Sequence, residues 1–323
     1  MPGSFGVSFE GRETPEAMQA AVATADAAGV STLWFAAHLF QKEPIAVAAL
    51  ALAASRRVNV ALMAMSPYSV HPVYATMAAA TLDEYFPGRV QLCFGVGAPR
   101  DLEAAGIAAP QPRKVMRETI AIARALLAGE TVNHQGERFR VQGRSLASGA
   151  RAVPIVLAAS GPQRLALAGA VADGVLISAA AAPAFLRWTL EHVRAGEAKS
   201  GRQVRKIGLV FAAMNRNEKA AHDSIRRVLA FVLRGAHHAH NLELAGGGLD
   251  QAALAEAFAR EDWAAVDRLM HDDVVRRHAA SGTPEQVRAA FAAYHAVGLD
   301  EVVIAGAAGS PMLGQILETA LGR

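Results

Sequence analysis

Eight short, almost wholly apolar segments recur along the chain, and helix signals follow each of them. They cover residues 5–9, 33–35, 58–65, 90–96, 153–158, 174–178, 207–213 and 301–304. Segments without a polar face suit strands that are covered on both sides, the condition of a parallel sheet. Parallel neighbours need a crossover connection, and the intervening helices supply it. Eight such units predict an α/β protein with a closed TIM-like (β/α)8 barrel, since an open doubly wound sheet usually needs fewer strands.

Local punctuation agrees with this rhythm. Thr14-Pro15 opens the first helix and Gly29 closes it. Thr283-Pro-Glu-Gln286 is a capping box that starts a helix ended by Gly298. Two stretches break the pattern. Residues 132–141 alternate apolar and polar around Gln135-Gly136 and predict a hairpin. Residues 218–280 are mostly helical in pattern and carry no strand signal, so they read as a helical insertion between strands seven and eight. The chain is therefore expected to be one domain, 1–323, with that insertion inside it.

Composition narrows the class. Apolar residues are 52% of the chain and charged ones 19%, which excludes intrinsic disorder. The balance of 32 Lys+Arg against 29 Asp+Glu gives a net charge of +3, spread too thinly to argue for nucleic acid. The longest apolar run, Ile45–Ala54, has ten residues, about half of a membrane span. Residues 1–6 lack the basic-then-apolar pattern of a secretion signal, so none is expected. A single cysteine, Cys93, forbids an internal disulfide and fits a reducing cytoplasm. Inside an apolar strand, it reads as a small buried hydrophobe.

Ser160-Gly161-Pro162-Gln163 is the most informative motif. A strand ends, a glycine permits close backbone approach, and a proline begins a helix whose free N–H groups form an anion site, with the Ser160 hydroxyl as a further donor. The plainer reading is a βα turn capped by Ser160. Gly95-Val96-Gly97 ends strand four; without a third glycine and a later acid it is no dinucleotide fingerprint. The two glycines read as clearance for a cofactor, or simply as barrel closure. His38 follows strand two and can carry a proton near neutral pH, or can be a packed histidine. Ser66, Tyr68 and His71, after strand three, can line the same pocket. His237, His238 and His240 invite a metal, but nothing fixes a ligand geometry, and a helical lid is the better reading, so no metal is expected.

Several longer segments carry a resemblance. HPVYATMAAATLDEYFPGRVQLCFGVG (71–97), VPIVLAASGPQRLALAGAVADGVLIS (153–178) and SGTPEQVRAAFAAYHAVGLDEVVI (281–304) resemble the bacterial-luciferase-like flavin oxidoreductases, as does Leu33-Trp-Phe-Ala-Ala-His38. Ser66-Pro67-Tyr68, residues 124–130 and the late Gly-Thr-Pro-Glu box are most similar to the branch of coenzyme F420-dependent methylene-tetrahydromethanopterin reductases. The resemblance implies a barrel with its site at the carboxyl ends of the strands, binding the deazaflavin F420 or, alternatively, FMN, in a homodimer. It also implies a non-prolyl cis peptide near Met63-Ala64. Met63, Ala64, Ser66, Gly95, Gly97 and Ser160 to Gln163 would contact the cofactor, and His38 would be catalytic.

The same resemblance expects acids where this chain has Ser8, Ala37 and Ala98, which with Tyr68 and His71 would line the substrate pocket. A nearly uncharged floor is therefore expected, with negligible reduction of a methylene-tetrahydropterin. The function implied is hydride transfer between reduced F420 and a small organic substrate. Two alternatives remain open: an FMN-dependent two-component monooxygenase fed by a separate reductase, and a non-catalytic flavin-binding relative.

Overall fold

The computed structural model describes residues 3–178 and 180–323. Its strands are β1 (Ser4–Phe9), β2 (Thr32–Ala36), β3 (Asn59–Met65), β4 (Val90–Phe94), β5 (Val132–Gln135), β6 (Arg140–Arg144), β7 (Ile155–Ala158), β8 (Gly174–Ile177), β9 (Arg205–Met214), β10 (Ala280–Gly282) and β11 (Glu301–Ala305). The sheet runs β10-β9-β11-β1-β2-β3-β4-β7-β8, and β8 also pairs with β9, so eight parallel strands close on themselves. The fold is a TIM barrel. All eight strands lie at the segments that the apolar pattern marks. The hairpin of β5 and β6 is likewise present, antiparallel and outside the main sheet.

The capping chemistry acts as the sequence implies. The Thr14 side chain accepts from the Ala17 N–H, with Pro15 first in the helix Pro15–Ala28 and Gly29 left-handed at its end. Thr283 and Gln286 form both bonds of the capping box that opens the helix Pro284–Ala296. Two elements escaped the sequence pattern. A six-residue helix, Pro99–Ala104, follows β4. The stretch 218–280 ends not in a helix but on the first residue of β10, which pairs in parallel with β9 from Ala280 opposite Ala212. Ala-Ser-Gly has no intrinsic strand signal; an open neighbouring edge makes the strand.

Packing divides the chain into two compact units. One comprises residues through Ser8, Ile177–Glu191 and Lys206–Arg323. In it, helices of the 218–280 stretch bury Leu229, Leu233, Leu254, Val266 and Val275 together with Phe211 of β9. The other comprises Phe9–Leu176 and His192–Arg205 and contains the ends of β2, β3, β4 and β7. Among the described residues no helix is long and apolar enough to cross a membrane.

Candidate active site

The centre of the site is His38, two residues beyond β2. Its Nε2 lies 3.4 Å from a Glu10 carboxylate oxygen and its Nδ1 lies 3.4 Å from Asp101. Glu10 directly follows β1, and Asp101 sits in the first turn of the helix after β4. The loops that carry them are held from within. The Glu13 carboxylate accepts the N–H groups of Glu10 and Gly11 at 3.0 Å each, and the Gly11 carbonyl accepts the Lys42 N–H. This ties the loop after β1 to the loop bearing His38.

A carboxylate on each ring nitrogen favours the imidazolium. The His38 pKa is raised, chiefly by the contact with Glu10, then against the opposing effect of burial, with the Asp101 charge adding to it. The expectation of an uncharged floor is thus corrected. Ser8 is buried in β1, Ala37 and Ala98 carry no charge, yet two acids arrive slightly later in their loops. Residue-by-residue matching missed them because a loop can deliver a carboxylate from a shifted position. The available signal was any acid just past a strand's carboxyl end.

The peptide bond between Met63 and Ala64 is cis. The register of β3 against β4 shifts between Leu62 and Met65, and the Met63 carbonyl accepts the Ala37 N–H. Gly95 makes room for this bend: a Cβ there would stand 2.8 Å from that of Ala64 and 3.2 Å from that of Ala158. Gly97 is left-handed, at φ 95°, and a Cβ on it would meet Ser66 Oγ at 3.2 Å. The clearance at these two glycines is therefore taken up by the protein's own side chains.

The polar atoms after β3 are also committed. Ser66 Oγ donates to the Val96 carbonyl at 2.7 Å and joins the two strand-end loops. The Tyr68 hydroxyl donates to the Pro110 carbonyl, and its ring lies under the Arg138 guanidinium at 4.6 Å. His71 caps the helix Pro72–Tyr85 by accepting the Val73 N–H, and partial burial lowers its pKa. Cys93 is fully buried, which pushes its thiol pKa up and leaves it a packing residue.

Beyond β7, Gly161 is the N-cap of the helix Pro162–Val171, with φ 78° and ψ 150° and no side-chain cap. Among the described residues, nothing beyond its two chain neighbours lies within 4 Å of where its Cβ would be. Ser160 does not cap the helix; its hydroxyl accepts from Arg164 at 3.0 Å, and Arg113 donates to Gln163 at 3.4 Å. Two guanidiniums thus flank an uncapped helix N-terminus, a favourable environment for an anion. Neither arginine was singled out in the sequence, because arginine is common on helix surfaces.

The histidine group belongs to the other compact unit. His238 is buried, and its pKa falls to about 3 through burial and the neighbouring His237 and His278, while His240 packs edge-on against Trp188. Among the described residues no three His, Cys, Asp or Glu side chains converge as metal ligands.

Comparison with known proteins bears on the family and the fold. A family model described as luciferase-like monooxygenase matches residues 3–301. A 5,10-methylenetetrahydromethanopterin reductase of Archaeoglobus fulgidus is 29% identical over 315 residues, covering 95% of this chain and 93% of the relative. The structure of a coenzyme F420-dependent tetrahydromethanopterin reductase from Methanopyrus kandleri superimposes with a TM-score of 0.89 at 21% identity, over 99% of this chain and 97% of that one. An F420-dependent secondary alcohol dehydrogenase, solved with an F420-acetone adduct, gives 0.79 at 18% identity over 99% of both chains.

Proposed function

Because the chain belongs to the luciferase-like monooxygenase family, we propose that it is an oxidoreductase moving hydride between reduced coenzyme F420 and a small organic electrophile. The observation that carries this reading is His38 held between Glu10 and Asp101 at 3.4 Å on each side. The named activity of the full-length Archaeoglobus relative supports the choice of coenzyme.

The residues fit such a group. The open space at Gly161, with Arg164 and Arg113 beside it, suits the coenzyme's phosphate. The backbone at Met63-Ala64, backed by Gly95, would support its ring system. When bound, the coenzyme supplies the hydride. His38 holds a proton on a ring nitrogen and releases it to the oxygen or nitrogen that gains an electron pair as the neighbouring carbon is reduced. Glu10 and Asp101 keep that proton in place and fix the ring's orientation.

Two carboxylates beside His38 remove the premise for expecting poor turnover of a methylene-tetrahydropterin. That compound becomes the first substrate to assay, ahead of conjugated carbonyls. The chain works as one (β/α)8 domain with residues 218–280 as its insertion, in a reducing cytoplasm, drawing reduced coenzyme from a separate reductase. We assign its homodimer contact to the helices Pro44–Ala54 and Pro72–Tyr85, where Leu50, Tyr74, Met77 and Tyr85 are exposed at 69%, 54%, 45% and 77%.

Parallel titration of the purified protein with F420 and FMN, followed by cofactor fluorescence, tests the reading. Tight F420 binding and oxidation of reduced F420 by the pterin are expected. Tight FMN binding with oxygen consumption would replace the reading with a monooxygenase, and binding of neither with a non-catalytic protein.

A further inference from the structure

A cleft of about 390 Å³ opens among the helices Pro183–Ser200, Asp272–His278 and Pro284–Ala296, and none of the residues lining it is among those assigned to hydride transfer. Its volume falls in the range of small-molecule sites. The walls are apolar and small, with Pro183, Leu244, Ala279, Ala290 and Ala293 among them. Three arginines, Arg187, Arg276 and Arg277, also line it, and no aspartate or glutamate does.

The arginines are not equally engaged. Arg276 is paired with Glu218 and Asp273. Arg277 gives one N–H to the Gly247 carbonyl at 3.2 Å. Arg187 is exposed and has no acidic partner among the described residues. Two guanidiniums therefore keep donors for an outside anion. The first turn of the helix Pro183–Ser200 lines the same cleft and adds the positive end of its dipole.

Tyr294 supplies an independent observation. Its side chain lines the cleft and is only 2% exposed, and its hydroxyl makes no hydrogen bond to any described residue while not being wholly cut off from solvent. Burial alone pushes its pKa up. A buried phenol normally finds a partner. Here the cleft is where one can come from.

We propose that this cleft binds an amphipathic anion, an apolar body bearing one carboxylate. The apolar body covers the alanine and leucine walls. The carboxylate accepts from the Tyr294 hydroxyl and from the guanidiniums of Arg187 and Arg277, because a planar two-oxygen acceptor matches the arginine fork. None of its lining residues is among the proposed coenzyme contacts, and its test requires no coenzyme.

Isothermal titration of the full chain with octanoate, and with octanol as its uncharged counterpart, tests the assignment. Octanoate should bind once per chain in roughly the sub-millimolar range, with octanol at least about tenfold weaker. Arg187→Gln and Tyr294→Phe should each weaken octanoate by roughly threefold to tenfold and leave octanol unchanged. Circular dichroism and thermal melting of both variants verify that the fold is intact. Equal affinity for octanoate and octanol, unchanged octanoate affinity in both folded variants, or no octanoate heat at up to about 10 mM would each overturn the proposal.

Discussion

Replacing Glu10 with glutamine and Asp101 with asparagine, singly and together, isolates what the two carboxylates do for His38. Each lies 3.4 Å from one ring nitrogen. At that separation a pair of unit charges attracts by about 1 kcal/mol in the dielectric of water. The water limit is appropriate, since the His38 and Glu10 side chains are 43% and 37% exposed. The Glu10 substitution should therefore loosen the hold on the imidazolium by about 1 kcal/mol, and the Asp101 substitution, at a carboxylate only 21% exposed, by at least that. The His38 pKa is raised, so the imidazolium outlasts the ordinary histidine range as pH climbs. Activity that needs this proton falls as pH rises through the raised value. Removing either acid should bring that fall to lower pH, and removing both should bring it lower still. His38→Ala should cost roughly 10²–10⁴-fold in kcat at neutral pH while coenzyme still binds. The assay is oxidation of reduced F420 followed across pH for the wild type and all four variants. An alkaline limb that does not move in Glu10→Gln or Asp101→Asn, or full activity in His38→Ala, would refute the assignment.

Three further outcomes follow from the geometry. Gly161→Val should lower F420 affinity by tenfold or more, roughly, with little loss of stability beyond the 1–3 kcal/mol of a residue strained into that glycine-only conformation; fluorescence titration and thermal melting separate the two effects. Gly95→Ala should destabilise the protein by about 1–3 kcal/mol, because its Cβ meets that of Ala64, and adding Ala64→Gly should restore most of the melting temperature. Glu at Leu50 or Met77 should convert a dimer to monomer in sedimentation velocity, and a wild type already monomeric would remove that interface.

What was legible in the sequence was local. Apolar runs gave strands because a strand covered on both faces has no polar positions to show. Thr14, Gly29 and Thr283 marked helix ends because caps satisfy backbone groups within a few residues. His38 and the Ser160–Gln163 turn stood out because each lies directly after a strand, where a barrel of this class opens its site. The Met63-Ala64 bond was placed by resemblance, not by any local rule.

The electrostatics of the site was not legible, since it depends on loops brought together from different strands. Glu10 and Asp101 converge on His38 only because β1, β2, β3 and β4 are successive neighbours in the sheet. Single-residue matching sees Ser8 and Ala98 and stops short of the carboxylates. Side-chain commitments are equally hidden. Ser66 and Tyr68 are good pocket residues by type, yet their hydroxyls are bonded to the carbonyls of Val96 and Pro110. Arg164, one helical turn past Ser160, is an ordinary surface arginine until folding sets it on that hydroxyl. The sequence alone determined the eight barrel strands and most helices, because hydrogen bonding and burial along one element are short-range, whereas β10 formed only on the edge that β9 offers it. Which charges face each other, and which polar atoms remain free for a ligand, was decided by the tertiary structure, because those contacts join residues that only the closed sheet makes neighbours.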